Sequence, residues 1–184
     1  MARAPDGPES EPYRLASSAS HLLHRAEQLA TDRFMQLVGD SVTLRQFAVL
    51  AAIAEAPGLS QADLVRATGI DRSTLAEMIT RMDKRSWVTR TASAVDARAV
   101  SLRLAPTGAQ ILVASTQHAR AADAAILDLL PRTKRRTFVN TLMKLAKLAD
   151  EAAAKADRDA RKQSKKEARE KRRAKSQTPR AKKR

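Results

Sequence analysis

The segment SQADLVRATGIDRSTLAEMITRM, residues 60–82, predicts two short amphipathic helices separated by a tight turn. Ser60 and Asp63 have the spacing of a capping box, in which each side chain satisfies a free backbone N–H group of the other residue. Gly69 suits the left-handed backbone that ends a helix, and Asp71 can cap the next one. That second helix carries an apolar stripe of Leu75, Met78, Ile79 and Met82. Together these features predict a helix-turn-helix.

The opposite face of the second helix is polar and carries Arg72, Ser73, Thr74, Glu77, Arg81 and Arg85. Arginine can pair with guanine, and hydroxyl groups can bond to phosphates or bases, so this face suits the DNA major groove. The alternative is a solvated surface, which is what most charged helix faces are. We expect DNA contacts from five of these residues: Arg72, Ser73, Thr74, Arg81 and Arg85. Gln61 is a further candidate, for a phosphate contact.

The composition of the 184 residues favours a mainly α protein, because alanine and leucine dominate the apolar residues and aromatic residues make up only 3%. The chain has no cysteine, which excludes disulfides and thiolate zinc sites. Its longest apolar run, residues 47–54, is far shorter than the roughly 20 residues of a membrane span. The first residues lack the apolar core of a signal peptide. We therefore expect a cytoplasmic protein without membrane contact.

The net charge of +15 is concentrated at the C-terminus, where residues 151–184 hold 15 Lys+Arg against 5 Asp+Glu. Alanine is the only apolar residue type there, so this tail cannot bury a core. Acidic and basic residues at four-residue spacing predict a fraying helix to about residue 174, followed by disorder. The tail is either a solubilising extension or a source of sequence-independent DNA affinity through counterion release.

Other helices and a pair of strands are predicted around the helix-turn-helix. The helical period begins at about Tyr13 and is broken by Gly39 and Asp40, and its apolar stripe is long enough to pack against another chain. Thr43 and Gln46 form a second capping box, which begins a helix central to the core. Two alternating runs, WVTR at 87–90 and VSLRL at 100–104, predict a two-stranded wing. Helices follow Pro106 and Pro131.

Enzymatic and metal sites are not expected in this chain. The sequence shows no paired carboxylates, Ser-His-Asp set or phosphate-binding glycine loop. A metal site needs three or four ligands in space, and the chain has only three histidines, at positions 21, 24 and 118. We expect no enzyme activity, no metal and no cofactor.

The pattern resembles the bacterial multiple antibiotic resistance regulators, the MarR family. The resemblance rests on GLSQADLVRATGIDRSTLAEMITRMDKR at 58–85, WVTR, the Asp-x-Arg pair of Asp96 and Arg98, and LRLAPTG at 102–108. Two positions depart from the family pattern. Ala105 replaces a threonine, which leaves Thr107 as a substitute cap for the next helix. Ser86 replaces a glycine, which suggests a different turn into the first strand.

The resemblance implies a homodimeric winged helix-turn-helix regulator whose first and last helices interlace with those of the partner. Its recognition helices would enter successive major grooves of a pseudo-palindromic operator. Arg98 would enter or flank a minor groove, Asp96 would brace a neighbouring arginine, and Ala97 in place of a second arginine would weaken the grip. An effector pocket would lie between the dimerisation helices and the winged helix, with the candidates His24, Phe34, Phe47 and His118. The alternative for both phenylalanines, and the more common role of such side chains, is packing in the hydrophobic core.

The resulting hypothesis divides the chain into a disordered leader at 1–12, dimerisation helices at 13–40 and 106–150, a DNA-binding domain at 41–105 and a basic tail at 151–184. The function implied is a transcription regulator, expected to be a repressor, released from double-stranded DNA by a small molecule. The resemblance to the MarR family implies that this molecule is an aromatic acid or an acyl thioester. The alternative is an architectural, nucleoid-type protein that uses its tail to bind DNA with little sequence specificity.

Overall fold

The computed structural model describes residues 12–92 and 100–176, which are mainly helical. The helices are α1 Ala19–Val38, α2 Leu44–Glu55, α3 Gln61–Thr68, α4 Arg72–Lys84, α5 Pro106–Asp128 and α6 Arg132–Ser176. The strands are β1 Leu59–Ser60, β2 Val88–Ala92 and β3 Val100–Leu104. Short 3-10 helices lie at Leu15–Ser17 and Gly39–Ser41. The predicted fold class, mainly α with a small β-wing, is confirmed.

The three strands form one antiparallel sheet in the order β1-β3-β2. Val88 of β2 pairs with Leu104 of β3, and Leu59 of β1 pairs with Leu102 on the other side of β3. The predicted alternation of β3 is confirmed, since Leu102 is buried and the neighbouring Arg103 is exposed. β1 was not predicted, because two residues are too few to show alternation.

The predicted capping boxes are both confirmed. The Ser60 hydroxyl accepts a bond from the Asp63 N–H at 3.2 Å, and the Asp63 carboxylate accepts one from the Ser60 N–H at 2.9 Å. Thr43 and Gln46 make the equivalent pair of bonds, at 3.3 and 3.0 Å. Gly69 ends α3 with a φ of 68°, in the left-handed region as predicted. These local bonds fix where α2 and α3 begin and where α3 ends.

Two expectations drawn from departures from the family pattern are wrong. α5 begins directly with Pro106 after Ala105, which makes no side-chain cap bond, so Thr107 is not a substitute cap. Proline at the first position lacks the N–H that a cap would have to satisfy. Ser86 has a φ of 55°, in the left-handed region that favours glycine, so the turn into β2 is of the glycine type. A non-glycine residue there costs about 1 to 2 kcal/mol.

The core of residues 12–130 is centred on α2, as the sequence predicted. Val49, Leu50 and Ile53 have no exposed surface, and Phe34 of α1 packs against Phe47 of α2 with ring centroids 5.4 Å apart. Among the described helices, none alone is long and apolar enough to span a bilayer. In the described part of the chain, the bent pair Ala19–Ser41 and Leu44–Glu55 is the only pair of helices that is long and apolar enough when taken together.

Residues 132–176 form the single helix α6, which belongs to a second compact unit. At 1.5 Å per residue its 45 residues extend over about 68 Å. The change in composition at residue 151 does not interrupt the helix, and it ends two residues beyond the predicted limit of about 174. Its first half carries exposed apolar side chains, at Val139, Leu142, Met143, Leu145 and Leu148.

Candidate nucleic-acid interface

Helix α4 is held by the apolar stripe that the sequence predicted. Leu75 and Met82 have no exposed surface, and Met78 and Ile79 are at most 5% exposed. The opposite face leaves five predicted side chains in solvent: Arg72, Ser73, Glu77, Arg81 and Arg85. Thr74 lies at the boundary and is half-buried. The helix therefore presents a row of cations and a hydroxyl from a rigid base.

Asp71 organises the N-terminal turn of α4. Its Oδ1 accepts bonds from the Thr74 N–H at 2.9 Å and from the Ser73 hydroxyl at 2.7 Å. A hydroxyl has one proton to donate and two lone pairs. While Ser73 donates to Asp71, it can accept a bond from a base amino group but cannot donate to a phosphate. As long as the bond to Asp71 is kept, any DNA contact of Ser73 would have to be made as an acceptor.

Hydrogen bonds from Thr74 first, and from Ser73 second, lower the pKa of Asp71 from 3.8 to about 2. A carboxylate with a depressed pKa contributes stability that is complete above its unfolded value and is lost as the pH falls through its folded value. We expect Asp71→Asn, which keeps a capping oxygen but cannot titrate, to lose less stability than wild type between pH 4.5 and pH 2. Urea midpoints measured for both proteins across this range provide the check, and identical acid dependence would contradict it.

The side chain of Gln61 bridges the two helices of the motif. Its Nε2 lies 3.4 Å from the Arg72 carbonyl oxygen, which is a long hydrogen bond. Gln61 is half-buried at the beginning of α3, so its amide lies close to the beginning of α4. The predicted phosphate contact would require this amide to share its second N–H group with DNA.

Arg90 of β2 connects the sheet to α4, a role that the sequence reasoning missed. Its Nε lies 3.2 Å from the Asp83 carboxylate, and a terminal nitrogen donates to the Thr80 hydroxyl at 2.9 Å. An exposed ion pair of this kind contributes only about 0.2 to 1 kcal/mol, so its main effect is on geometry. The signal available in the sequence was the three-residue spacing of Thr80 and Asp83, which places both on one side of α4.

Arg85, which follows the last residue of α4, lies over the ring of Trp87, with the guanidinium carbon 5.4 Å from the ring centroid. Trp87 itself is buried in the core. This cation–π contact orients Arg85 while leaving it exposed. The two wing residues predicted to contact DNA, Asp96 and Arg98, lie outside the described residues.

A cleft of about 660 Å³ lies between α1, α2 and α4. Its lining comprises His24, Glu27, Gln28, Thr31, Asp32, Thr43, Leu44, Arg45 and Met78. Of the predicted effector-pocket residues, His24 lines this cleft. Phe34 and Phe47 pack against each other instead, and His118 is exposed on α5 with its Nδ1 3.2 Å from the Ala114 carbonyl oxygen.

The cleft contains an ion pair that the sequence reasoning did not identify. Arg45 donates to the Glu27 carboxylate at 2.9 Å, and both side chains are at least half exposed. No sequence pattern indicates this pair, because the residues are 18 positions apart on separate helices. Within the described ranges, no group of three His, Asp or Glu side chains could hold a metal ion.

Comparison with known proteins identifies relatives of this arrangement. The MarR family model matches residues 40–99. The transcriptional regulator HosA of Escherichia coli O157:H7 is 34% identical over 131 residues, which cover 71% of this chain and 96% of HosA. The transcriptional repressor NicR of Pseudomonas putida is 33% identical over 113 residues, covering 61% of this chain and 72% of NicR.

The described fold also matches solved structures. Bordetella bronchiseptica BpsR, whose DNA binding is regulated by 6-hydroxynicotinic acid, is 30% identical with a TM-score of 0.68. The match covers 73% of this chain and 97% of BpsR. Family match, sequence relatives and structural neighbour all agree with the capped and anchored helix-turn-helix. The chain therefore belongs to the MarR family of transcriptional regulators.

Proposed function

We propose that this chain is a homodimeric repressor that binds a pseudo-palindromic operator in the cytoplasm and is released by a small aromatic acid. The observation that carries the proposal is α4, a helix capped by Asp71, seated on a buried stripe and exposing Arg72 and Arg81. An exposed guanidinium on a fixed helix can read guanine in the major groove, which supports sequence-specific binding. The relative NicR is a repressor, which supports repression rather than activation as the role of this chain.

Exposed apolar side chains support the homodimer. Leu22 and Leu23 of α1 are each 50% exposed, and Leu142, Leu145 and Leu148 recur on α6 with similar exposure. Apolar stripes of this kind on a soluble chain mark surfaces that a partner covers. A two-fold dimer would carry two copies of α4 and so meet two half-sites about one helical turn apart.

The cleft lined by His24 and Arg45 supports the effector. Met78 of the α4 stripe forms part of the same lining, so a ligand there would touch the base of the recognition helix. A carboxylate ligand would compete with Glu27 for the Arg45 guanidinium, which favours an aromatic acid over an acyl thioester. BpsR, regulated by 6-hydroxynicotinic acid, is consistent with that chemistry. Binding shifts the equilibrium only if the DNA-bound and free arrangements hold the ligand differently.

The test begins with selection of bound duplexes from a random library. A repressor of this kind should enrich a pseudo-palindrome with half-sites about 10 base pairs apart, or a multiple of that distance. Arg72→Ala and Arg98→Ala should each weaken binding to the selected duplex about 10-fold or more. The matched control is Arg120→Ala, which removes an exposed arginine from α5.

Two outcomes would overturn the proposal. Library selection without any enriched motif would favour the architectural alternative, in which the basic tail binds DNA irrespective of sequence. Equal affinities of wild type, Arg72→Ala and Arg98→Ala would remove the groove assignments. Adding 6-hydroxynicotinic acid and related aromatic acids to the complex tests release, and Arg45→Ala should lose the response while retaining DNA affinity.

A further inference from the structure

The C-terminal half of α6 separates its charges by position around the helix. Residues 151–176 remain within one unbroken helix and hold 11 Lys+Arg against 5 Asp+Glu. With 3.6 residues per turn, positions that follow each other at three- and four-residue spacing share one side. Six basic positions follow this rule without interruption: Lys155, Arg158, Lys162, Lys165, Arg169 and Arg172. We call these six positions the basic stripe.

Four of the five acidic positions lie off the basic stripe. Asp157, Asp159, Glu167 and Glu170 fall outside the arc of about 100° that contains the stripe, whereas Glu151 lies on the same side, one turn before the stripe begins. Lys155, Arg158 and Lys162 are exposed. Acid–base pairs at four-residue spacing support the helix itself, but they do not require six cations to follow one side of it. The observed segregation indicates a face that meets an extended anion.

The chemistry of the stripe excludes two other occupants. A partner helix would need apolar residues at this three- and four-residue spacing, where every position is basic. A bilayer surface would need an apolar face opposite the cations, and alanine is the only apolar residue type in 151–176. A linear polyanion needs neither. The stripe repeats its charge every 4.5 to 6 Å or so over roughly 26 Å of helix.

We infer that the basic stripe binds the phosphate backbone of duplex DNA. This inference rests on the proposed function, which brings a duplex to the same chain. Each phosphate neutralised releases counterions, so the stripe adds affinity that is independent of base sequence and falls steeply with salt. HosA and BpsR are matched over 96% and 97% of their own lengths but over only 71% and 73% of this chain. More than a quarter of this chain is therefore not matched by either relative.

The test is a permuted full-length chain with unchanged composition and net charge. Four exchanges move acids onto the stripe and bases off it: Lys155→Asp with Asp157→Lys, Arg158→Asp with Asp159→Arg, Lys165→Glu with Glu167→Lys, and Arg169→Glu with Glu170→Arg. Fluorescence anisotropy on a 40-base-pair duplex of mixed sequence gives the affinity at several salt concentrations. Circular dichroism confirms that the variant keeps its helix content.

We expect the permuted chain to bind the mixed duplex at least 10-fold more weakly than wild type at low salt. Loss of three or more phosphate contacts should also reduce the slope of log affinity against log salt by about 3. An affinity within twofold of wild type with the same slope would overturn the inference. So would wild-type binding to phosphatidylglycerol vesicles that is stronger than binding to DNA and sensitive to the permutation.

Failure of this inference can be distinguished from failure of the proposed function. Arg72→Ala should reduce affinity for the selected operator while changing the salt slope by no more than about one phosphate. The permuted chain should weaken operator and mixed duplex by the same factor. If only Arg72→Ala has an effect, the repressor stands and the stripe is a solvated face. If wild type binds no duplex, the proposed function itself is wrong.

Discussion

Replacing Gly108 by alanine is expected to lower the free energy of unfolding by about 3 kcal/mol or more. A Cβ atom at this position would lie 1.9 Å from the carbonyl oxygen of Trp87, which is a backbone atom and cannot rotate away. This expected loss of stability is opposite in sign to the usual effect of the substitution. At an ordinary helix position glycine to alanine stabilises by about 1 kcal/mol.

Urea denaturation at one protein concentration measures this effect, with Thr107→Ala as the neighbouring control. Thr107 is exposed and does not cap α5, so its truncation should stay within about 0.5 kcal/mol of wild type. A Gly108→Ala protein as stable as wild type would show that the contact between α5 and the residue before β2 is not tight. The Ala105 N–H donates to the same Trp87 oxygen at 3.0 Å, so a displacement of this oxygen would also strain that hydrogen bond.

Truncation of Leu75 to alanine should cost about 2 to 5 kcal/mol, since it removes a fully buried side chain from beneath α4. The same change should weaken operator binding, because the cavity lies under the turn that carries Arg72. Leu75→Met is the matched control, and a volume-conserving exchange should cost less than about 1.5 kcal/mol. Urea midpoints together with operator titrations of the three proteins check both effects. Stability retained in Leu75→Ala would mean that α4 is anchored elsewhere.

The elements that the sequence predicted correctly depend on short-range chemistry. The Ser60 and Thr43 capping boxes, the left-handed Gly69 and the apolar stripe of α4 are each determined by residues within one or two helical turns. Such patterns can be read directly, because the side chain and the backbone group it satisfies are three residues apart. They were sufficient to place the recognition helix and its exposed face.

The features that were missed depend on how distant segments meet. Arg90 reaches Thr80 and Asp83 only because the turn at Ser86 folds β2 back along α4. Arg45 and Glu27 meet only because α1 and α2 cross. β1 exists because β3 offers it an edge, and two residues carry no recognisable pattern of their own. The DNA and effector contacts of the individual side chains remain predictions.

Both ends of helix α4 are held by side-chain contacts within this chain. Asp71 and Gln61 hold its first turn, and Arg90 holds its last turns through Thr80 and Asp83. A preorganised helix loses little conformational entropy when it binds, so a larger part of the energy of each contact contributes to affinity. The same preorganisation makes the helix harder to move by regulation. If the proposed effector acts through α4, it would have to displace this helix against the contacts that connect it to β2.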